Sequence, residues 1–281
     1  MISNKIKSYA KLNLALNITG KKSSLHEIES IVMFVYFHDV ISISRIKSKK
    51  HSISFNGKFS KNIGKNNTVS RLLEILDKKK FLKNKKFKIM INKKIPIKAG
   101  LGGGSMNAAN ILTFFVKKNI IKVSKKEIQE ITKSIGSDVI LGLNSINCIL
   151  TSKNQIKYFS NCKKIYTLII KPNFGCSTRD IYSKVRKFNK PKLNRPTKKM
   201  FAYHFLKKME NSLEPIVFSN YPKLKKVKQY LESVTKPVFV RMTGSGSALV
   251  AYFKSKRMCE NAKKKFSKQY KNYWCITSKT I

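Results

Sequence analysis

Acidic residues are scarce in this chain of 281 residues: 13 aspartates and glutamates stand against 60 lysines and arginines, for a formal net charge of +47 at pH 7. The only aspartates are Asp39, Asp77, Asp138 and Asp180, so few groups can serve as a carboxylate base. Cysteine is sparse too: Cys148, Cys162, Cys176, Cys259 and Cys275 are odd in number and widely spaced, with no Cys-x-x-Cys pair. The four histidines form no His-Glu-x-x-His pattern. A disulfide framework and a structural zinc site are thereby set aside, no protein-held metal is expected, and the thiols are expected to be reduced and mostly buried. No apolar run reaches the roughly 18 residues that a membrane-spanning helix needs. The polar, basic start from Met1 to Lys7 leads into no apolar signal core. A cytoplasmic protein with no membrane partner is the expectation.

What is abundant is lysine. A charge of this size attracts polyanions in a salt-dependent way. The lysines, however, run through the whole chain in the company of asparagine and isoleucine, as in proteins written by an AT-biased genome. Compositional drift is therefore the main reading, with general attraction of anionic substrates and nucleic-acid binding as the others. No helix-turn-helix, zinc-finger or basic-aromatic ribonucleoprotein signature supports the last, and no specific nucleic-acid partner is expected.

Polar and apolar residues alternate after Lys11 to residue 19, again over 39–46 and 51–55, and again at Phe87, Ile89 and Ile91. These predict strands, the second and third as a hairpin. Val69, Leu72, Leu73, Leu76 and Leu82 recur at helical spacing, as do Ala108, Leu112, Phe115 and Val116, with Ser105 as the natural N-cap of that second helix. Residues 125–134 predict a further helix, broken at Gly136-Ser137-Asp138. In the second half, strands are predicted at 166–170, 238–242, 248–253 and 273–277, and helices at 200–209, 222–234 and 256–269. The basic, proline-containing stretch 186–198 reads as a loop. Mixed strands and helices in both halves imply two α+β domains, 1–152 and 153–281.

The chemistry concentrates in a few segments. Gly100, Gly102, Gly103 and Gly104 crowd into five residues between a strand and a helix. Such a run lets backbone N–H groups converge on an anion with no Cβ in the way, and a helix start adds free N–H groups and the positive end of its dipole. The loop lacks the Gly-Lys-Ser/Thr ending of the common P-loop, and Ser105 stands where a dinucleotide fingerprint has its last glycine. Asp138, at a break before apolar residues, is either a turn aspartate or a general base. Lys11, at the root of an apolar strand, needs a partner or a phosphate. Thr243-Gly244-Ser245-Gly246-Ser247 is a second glycine turn, either a plain hairpin or an anion site that Arg241 could reach.

Taken in order, these segments resemble the GHMP family of small-molecule kinases, whose loop reads Pro-x-x-x-Gly-Leu-Gly-Gly/Ser-Ser-Ser/Ala. Here it is Pro96-Ile97-Lys98-Ala99-Gly100-Leu101-Gly102-Gly103-Gly104-Ser105. The triple glycine is most similar to the members that phosphorylate a cytidine-diphosphate-linked methylerythritol at its 2-hydroxyl in non-mevalonate isoprenoid synthesis. Ala10-Lys11-Leu12-Asn13-Leu14, Thr19-Gly20 with His26, Asn67 with Arg71, Gly136-Ser137-Asp138-Val139, Asn211-x-Leu213-Glu214-Pro215 and Met242-Thr243-Gly244-Ser245-Gly246 extend the likeness over nearly the whole chain.

The resemblance implies a two-domain fold with an ATP-binding N-terminal domain and a ferredoxin-like C-terminal domain. It implies that Asp138 is the catalytic base and that Lys11 orients it. Pro96, Lys98, Ala99, Gly100, Leu101, Gly102, Gly103, Gly104 and Ser105 would hold the ATP phosphates, with Mg2+ on the nucleotide and Asn67 near the adenine. Asn13, His26, Thr178 and Tyr182, together with Asp138, would line the pocket of the small-molecule substrate, Tyr182 as an aromatic against the cytosine. A monomer or homodimer is expected. Homoserine or mevalonate kinases of the same family are the alternatives, and a basic nucleic-acid-binding protein on the same scaffold is a third. The pattern departs at Ser23-Ser24-Leu25-His26, where Leu25 replaces a tyrosine and implies a cytidine clamp that is weaker or rebuilt. It departs again at Met106 and at Ile140, which replace a small polar residue and a proline.

Overall fold

A computed structural model describes residues 3–23 and 25–281; Ser24, part of the altered Ser23-Ser24-Leu25-His26 segment, lies outside the described residues, as do Met1 and Ile2. Two compact units emerge. The first comprises the chain up to Lys11 with Phe37–Ile97 and Gly102–Ser145, and the second comprises Leu12–Tyr36, Lys98–Leu101 and Ile146–Ile281.

Two long strands, β1 (Asn4–Lys22) and β2 (Leu25–Ile46), pair with each other, and each contributes residues to both units. In β1 the even positions Leu12, Leu14, Leu16 and Ile18 are buried hydrocarbon, whereas the odd positions Lys11, Asn13 and Asn17 are polar and also buried. Side chains on a strand alternate between faces, so β1 has one apolar face and one polar face hidden from water. Every polar group on that second face must find a partner.

In the first unit, β2 pairs antiparallel with β4 (Lys86–Asn92), matching Ile41 to Ile91 and Ile43 to Ile89, and β3 (Ser52–Asn56) pairs with β4 in parallel. The hairpin predicted from 39–46 and 51–55 therefore does not form. Alternation specifies a strand but not its neighbour. β4 buries Phe87, Ile89 and Ile91, while β3 has only the half-buried Ile53 and Phe55 to bury and takes the edge. Over this sheet pack α1 (Thr68–Lys78), α2 (Gly103–Lys117) and α3 (Lys125–Ile135), through Leu72, Leu76, Ile111, Leu112, Phe115 and Ile131. Asn67 and Ser124 close capping boxes at the starts of α1 and α3.

In the second unit, β2 also pairs with β5 (Cys148–Leu150), which pairs with β6 (Ile156–Tyr158). A four-stranded antiparallel sheet runs β10 (Trp274–Lys279), β7 (Tyr166–Lys171), β9 (Leu249–Phe253), β8 (Phe239–Met242). Its core joins Leu168, Ile170, Val240 and Ala251 to α6 (Glu214–Asn220), α7 (Pro222–Thr235) and α8 (Lys256–Gln269) through Val217, Leu224, Leu231 and Phe266. Two short helices complete this unit, α4 (Thr178–Ser183) and α5 (Tyr203–Lys208), and the basic stretch 186–198 is a loop. No helix among the described residues is long and apolar enough to cross a membrane.

All five cysteines are free, and only Cys275 is more than marginally accessible. Burial pushes the Cys176 thiol up to about 11 and the Cys259 thiol up to about 12, and it raises Cys162 as well. A raised thiol stays protonated, and the thiolate is the reactive form. Thiol titration of the native protein at pH 8 is expected to give a single fast-reacting group, Cys275, with the other four appearing only in denaturant. Several fast groups in the native protein would contradict this burial.

Candidate functional site

The site is built outward from the polar face of β1. Lys11 is 3% exposed, and its ammonium lies 3.1 Å from a carboxylate oxygen of Asp138, which is 33% exposed. Asp138 sits just beyond α3, where Gly136 ends the helix; its carbonyl accepts the N–H of Leu141, and a single 3₁₀ turn, Ile140–Gly142, follows. Met106 packs under that turn, since a Cβ on Gly142 would lie 2.8 Å from its sulfur. This gives the departure at Met106 a packing role. Gly102 covers the Lys11 stem: it is left-handed, with φ +70°, and a Cβ there would lie 2.8 Å from Lys11 Cγ. A nearly buried lysine facing a half-open carboxylate forms a rigid charged pair with one side left accessible.

The glycine loop is held at both ends. In the second unit, Ala99 and Leu101 are buried, Ala248 donates its N–H to the Ala99 carbonyl, and the Thr243 hydroxyl donates to the Gly100 carbonyl. Gly100 has φ +72°, and any Cβ on it would run into the Thr243 carbonyl. Pro96 is buried before the loop, and Lys98 is exposed on it. In the first unit, Gly102 precedes α2 and accepts the N–H of Met106. Ser105, expected as the N-cap, is the third residue of the helix, because the left-handed Gly102 makes the turn that begins it. The N–H groups of Gly103, Gly104 and Ser105 thus form a first turn with no acceptor within the helix, and the first two of these residues carry no side chain of their own. A Cβ on Gly103 would sit 3.0 Å from Ile95 and 3.1 Å from the Lys93 ammonium, and the Thr68 hydroxyl donates to the Gly104 carbonyl at 2.8 Å. Free N–H groups and the dipole of a 15-residue helix fit a phosphate group.

A buried ion pair fixes the approach to this turn. Asp39, with no exposed surface, pairs with Lys93 and accepts hydrogen bonds from the N–H groups of Lys94 and Ile95 at 2.8 Å and from the Asn107 amide at 3.1 Å. One carboxylate therefore ties the end of β4 to the body of α2.

In the second unit, Asn13 donates from its amide to Ser30 and from its backbone to Thr243, and Asn17 donates to the buried carboxylate of Glu29. His26 meets Tyr182 with ring centroids 5.2 Å apart. Burial and the charge of Lys21 lower the His26 pKa, so its imidazole is neutral at pH 7 and offers one donor and one acceptor. Thr178 opens α4 and shares a hydrogen bond of 2.8 Å with Ser245 in the second glycine turn.

Arg241 does not serve as an anion contact. Its guanidinium is buried and donates to the carbonyls of Leu14, Leu206 and Met209. The Asn67 side chain accepts from the N–H groups of Val69 and Ser70 and donates to Gly64 and Lys65, which makes it the cap of α1. In the first unit the structure brings together Lys11, Asp138 and Gly102. In the second it brings together His26 with Tyr182, Thr178 with Ser245, and Asn13 with Thr243.

The family models for the GHMP kinases N terminal domain and the GHMP kinases C terminal match residues 67–150 and 192–272. A 4-diphosphocytidyl-2-C-methyl-D-erythritol kinase of Pelagibacter ubique is 54% identical over 281 residues, covering 100% of both chains. The chain belongs to the 4-diphosphocytidyl-2-C-methyl-D-erythritol kinases, a branch of the GHMP kinases. The enzyme of that name from Buchnera aphidicola is 30% identical over 90% of this chain and 86% of its own. Among solved structures, a 4-(cytidine 5'-diphospho)-2C-methyl-D-erythritol kinase superposes with a TM-score of 0.78 at 22% identity, covering 98% of this chain and 99% of that one. A homoserine kinase from Cytophaga hutchinsonii gives 0.73 at 15% identity, covering 99% and 94%. Both share the two-domain α+β GHMP fold that the motifs led us to expect.

Several residues that shape the site escaped the sequence reading. Asp39 and Lys93 carried no signal beyond the rarity of aspartate. Asn211 and Glu214 were visible only as a motif; in the structure Asn211 donates to the carbonyls of Met242 and Gly244, and Glu214 accepts the N–H of Met242, so the pair holds the second glycine turn. Removing one partner of a buried pair leaves an uncompensated charge. Lys93→Met is therefore expected to lower stability by about 3–5 kcal/mol in urea titration. A loss under about 1 kcal/mol would show that Asp39 does not depend on this cation.

Proposed function

We propose that the chain transfers the terminal phosphoryl group of ATP to the 2-hydroxyl of 4-diphosphocytidyl-2-C-methyl-D-erythritol, in isoprenoid biosynthesis. The observation that carries this reading is the buried Lys11 paired with the half-open Asp138 beside a bare helix start. Asp138 takes the proton of the substrate hydroxyl as that oxygen forms its bond to phosphorus and the bond to the ADP oxygen breaks. Lys11 holds Asp138 in orientation and offsets negative charge gathering on the transferring group. The first-turn N–H groups of α2 and the backbone of Gly100–Gly104 bind phosphate oxygens. Magnesium carried on the nucleotide would supply further charge neutralisation. Phosphoryl transfer asks mainly for positioning and electrostatics, which suits a site whose parts are two fixed charges and a rigid cradle.

On the substrate side, Asn13, Thr178, neutral His26 and Tyr182 bind the cytidylyl alcohol. A planar ring and a neutral imidazole suit a nucleobase, and neither is needed for a substrate as small as homoserine or mevalonate. We also take the enzyme to be cytoplasmic, where ATP and a diphosphate-bearing substrate are found.

ADP release should be fastest with the cytidylyl substrate when it is compared with homoserine and mevalonate. Equal or better turnover of either small alcohol would reject the substrate assignment. Asp138→Asn should lower kcat by roughly 10²-fold or more while ATP binding is kept; near-normal turnover would remove Asp138 from the base role.

A further inference from the structure

Beside His26 stands an aromatic ring that nothing above uses. Phe188 is 47% exposed, and its ring centroid lies 6.4 Å from that of His26, at 51°. His26 in turn meets Tyr182, so the three rings form one cluster in the second unit. Phe188 lies in the basic stretch 186–198, irregular up to the 3₁₀ turn that begins at Lys198, yet its backbone is pinned on both sides. Before it, Lys184 and Val185 donate to the carbonyls of Ile181 and Tyr182 at the end of α4. After it, Asn189 donates its N–H to Ile18 and its amide to Ser212 and Glu210. Three residues on, the N–H groups of Lys192 and Leu193 donate to the carboxylate of Glu29, which has no exposed surface and has no cation among these contacts. A buried carboxylate needs hydrogen bonds to offset its lost hydration, and two of those Glu29 accepts come from the backbone of this loop, which they hold in place. Leu25, next to His26, is 67% exposed and aliphatic, and supplies no ring.

We propose that Phe188 is a specificity residue: a pinned aromatic ring that stacks on the nucleobase of the cytidylyl substrate. This rests on the substrate reading above. Base–aromatic stacking is tolerant of ring detail but needs a flat π-face. Phe188→Ala and Phe188→Leu should each raise KM for the cytidylyl substrate about tenfold, with kcat and KM for ATP unchanged, and Phe188→Trp should restore the wild-type value. Phe188→Leu separates stacking from packing, because it keeps apolar bulk against His26 while removing the ring. Calorimetric binding of CDP to the apoprotein should weaken by the same factor. A wild-type KM in the Ala and Leu variants, or an equal rise in the KM for ATP, would overturn the role of Phe188 while leaving the kinase assignment intact. A wild-type enzyme inactive on the cytidylyl substrate would overturn the substrate reading and this proposal with it.

Discussion

The ion pair between Lys11 and Asp138 is the constraint around which the first unit is arranged. A strand whose even residues belong to a hydrocarbon core has no freedom to rotate, so its odd residues are aimed as firmly as the core is packed. Lys11 is one of those odd residues. Its stem is covered by Gly102, at the one point where the chain turns left-handed to start α2. The Lys11 stem and the start of α2 thus meet in a single close contact, and a side chain at Gly102 would disturb both.

The chain has few acids and places two of them where no water reaches. Asp39 and Glu29 are both fully buried, and each accepts two consecutive backbone N–H groups. Asp39 ties down Lys94 and Ile95, on the way to the glycine loop. Glu29 ties down Lys192 and Leu193, beyond the loop that carries Phe188. A carboxylate that accepts consecutive backbone N–H groups fixes the geometry of the chain that donates them. In a protein with a net charge of +47, these two anionic knots fix loops in which lysine abounds.

Much of this was legible in the sequence, for identifiable reasons. The glycine run, the alternation after Lys11 and the helical periodicity from Val69 to Leu76 are local signals, and the corresponding elements are there. Contacts distant along the chain were not legible. Alternation at 39–55 could not say that β4 would insert beside β2, and the glycines before Ser105 could not say which of them would begin the helix. The sequence left open whether Arg241 reaches an anion, because its three carbonyl partners come from segments far away in sequence. The helices α4 and α6, of six and seven residues, are too short to show a period. Phe188 and Glu29 gave no signal at all, since their meaning lies in a loop whose fold depends on the rest of its unit.

The central claim is that Lys11 and Asp138 act as one device. A double-mutant cycle on kcat, with Lys11→Met, Asp138→Asn and the combined variant, tests it directly. Groups that work as a unit give grossly non-additive losses. The combined variant should turn over about as slowly as the slower single variant. Losses that multiply would mean that the two residues act independently, and would contradict the account.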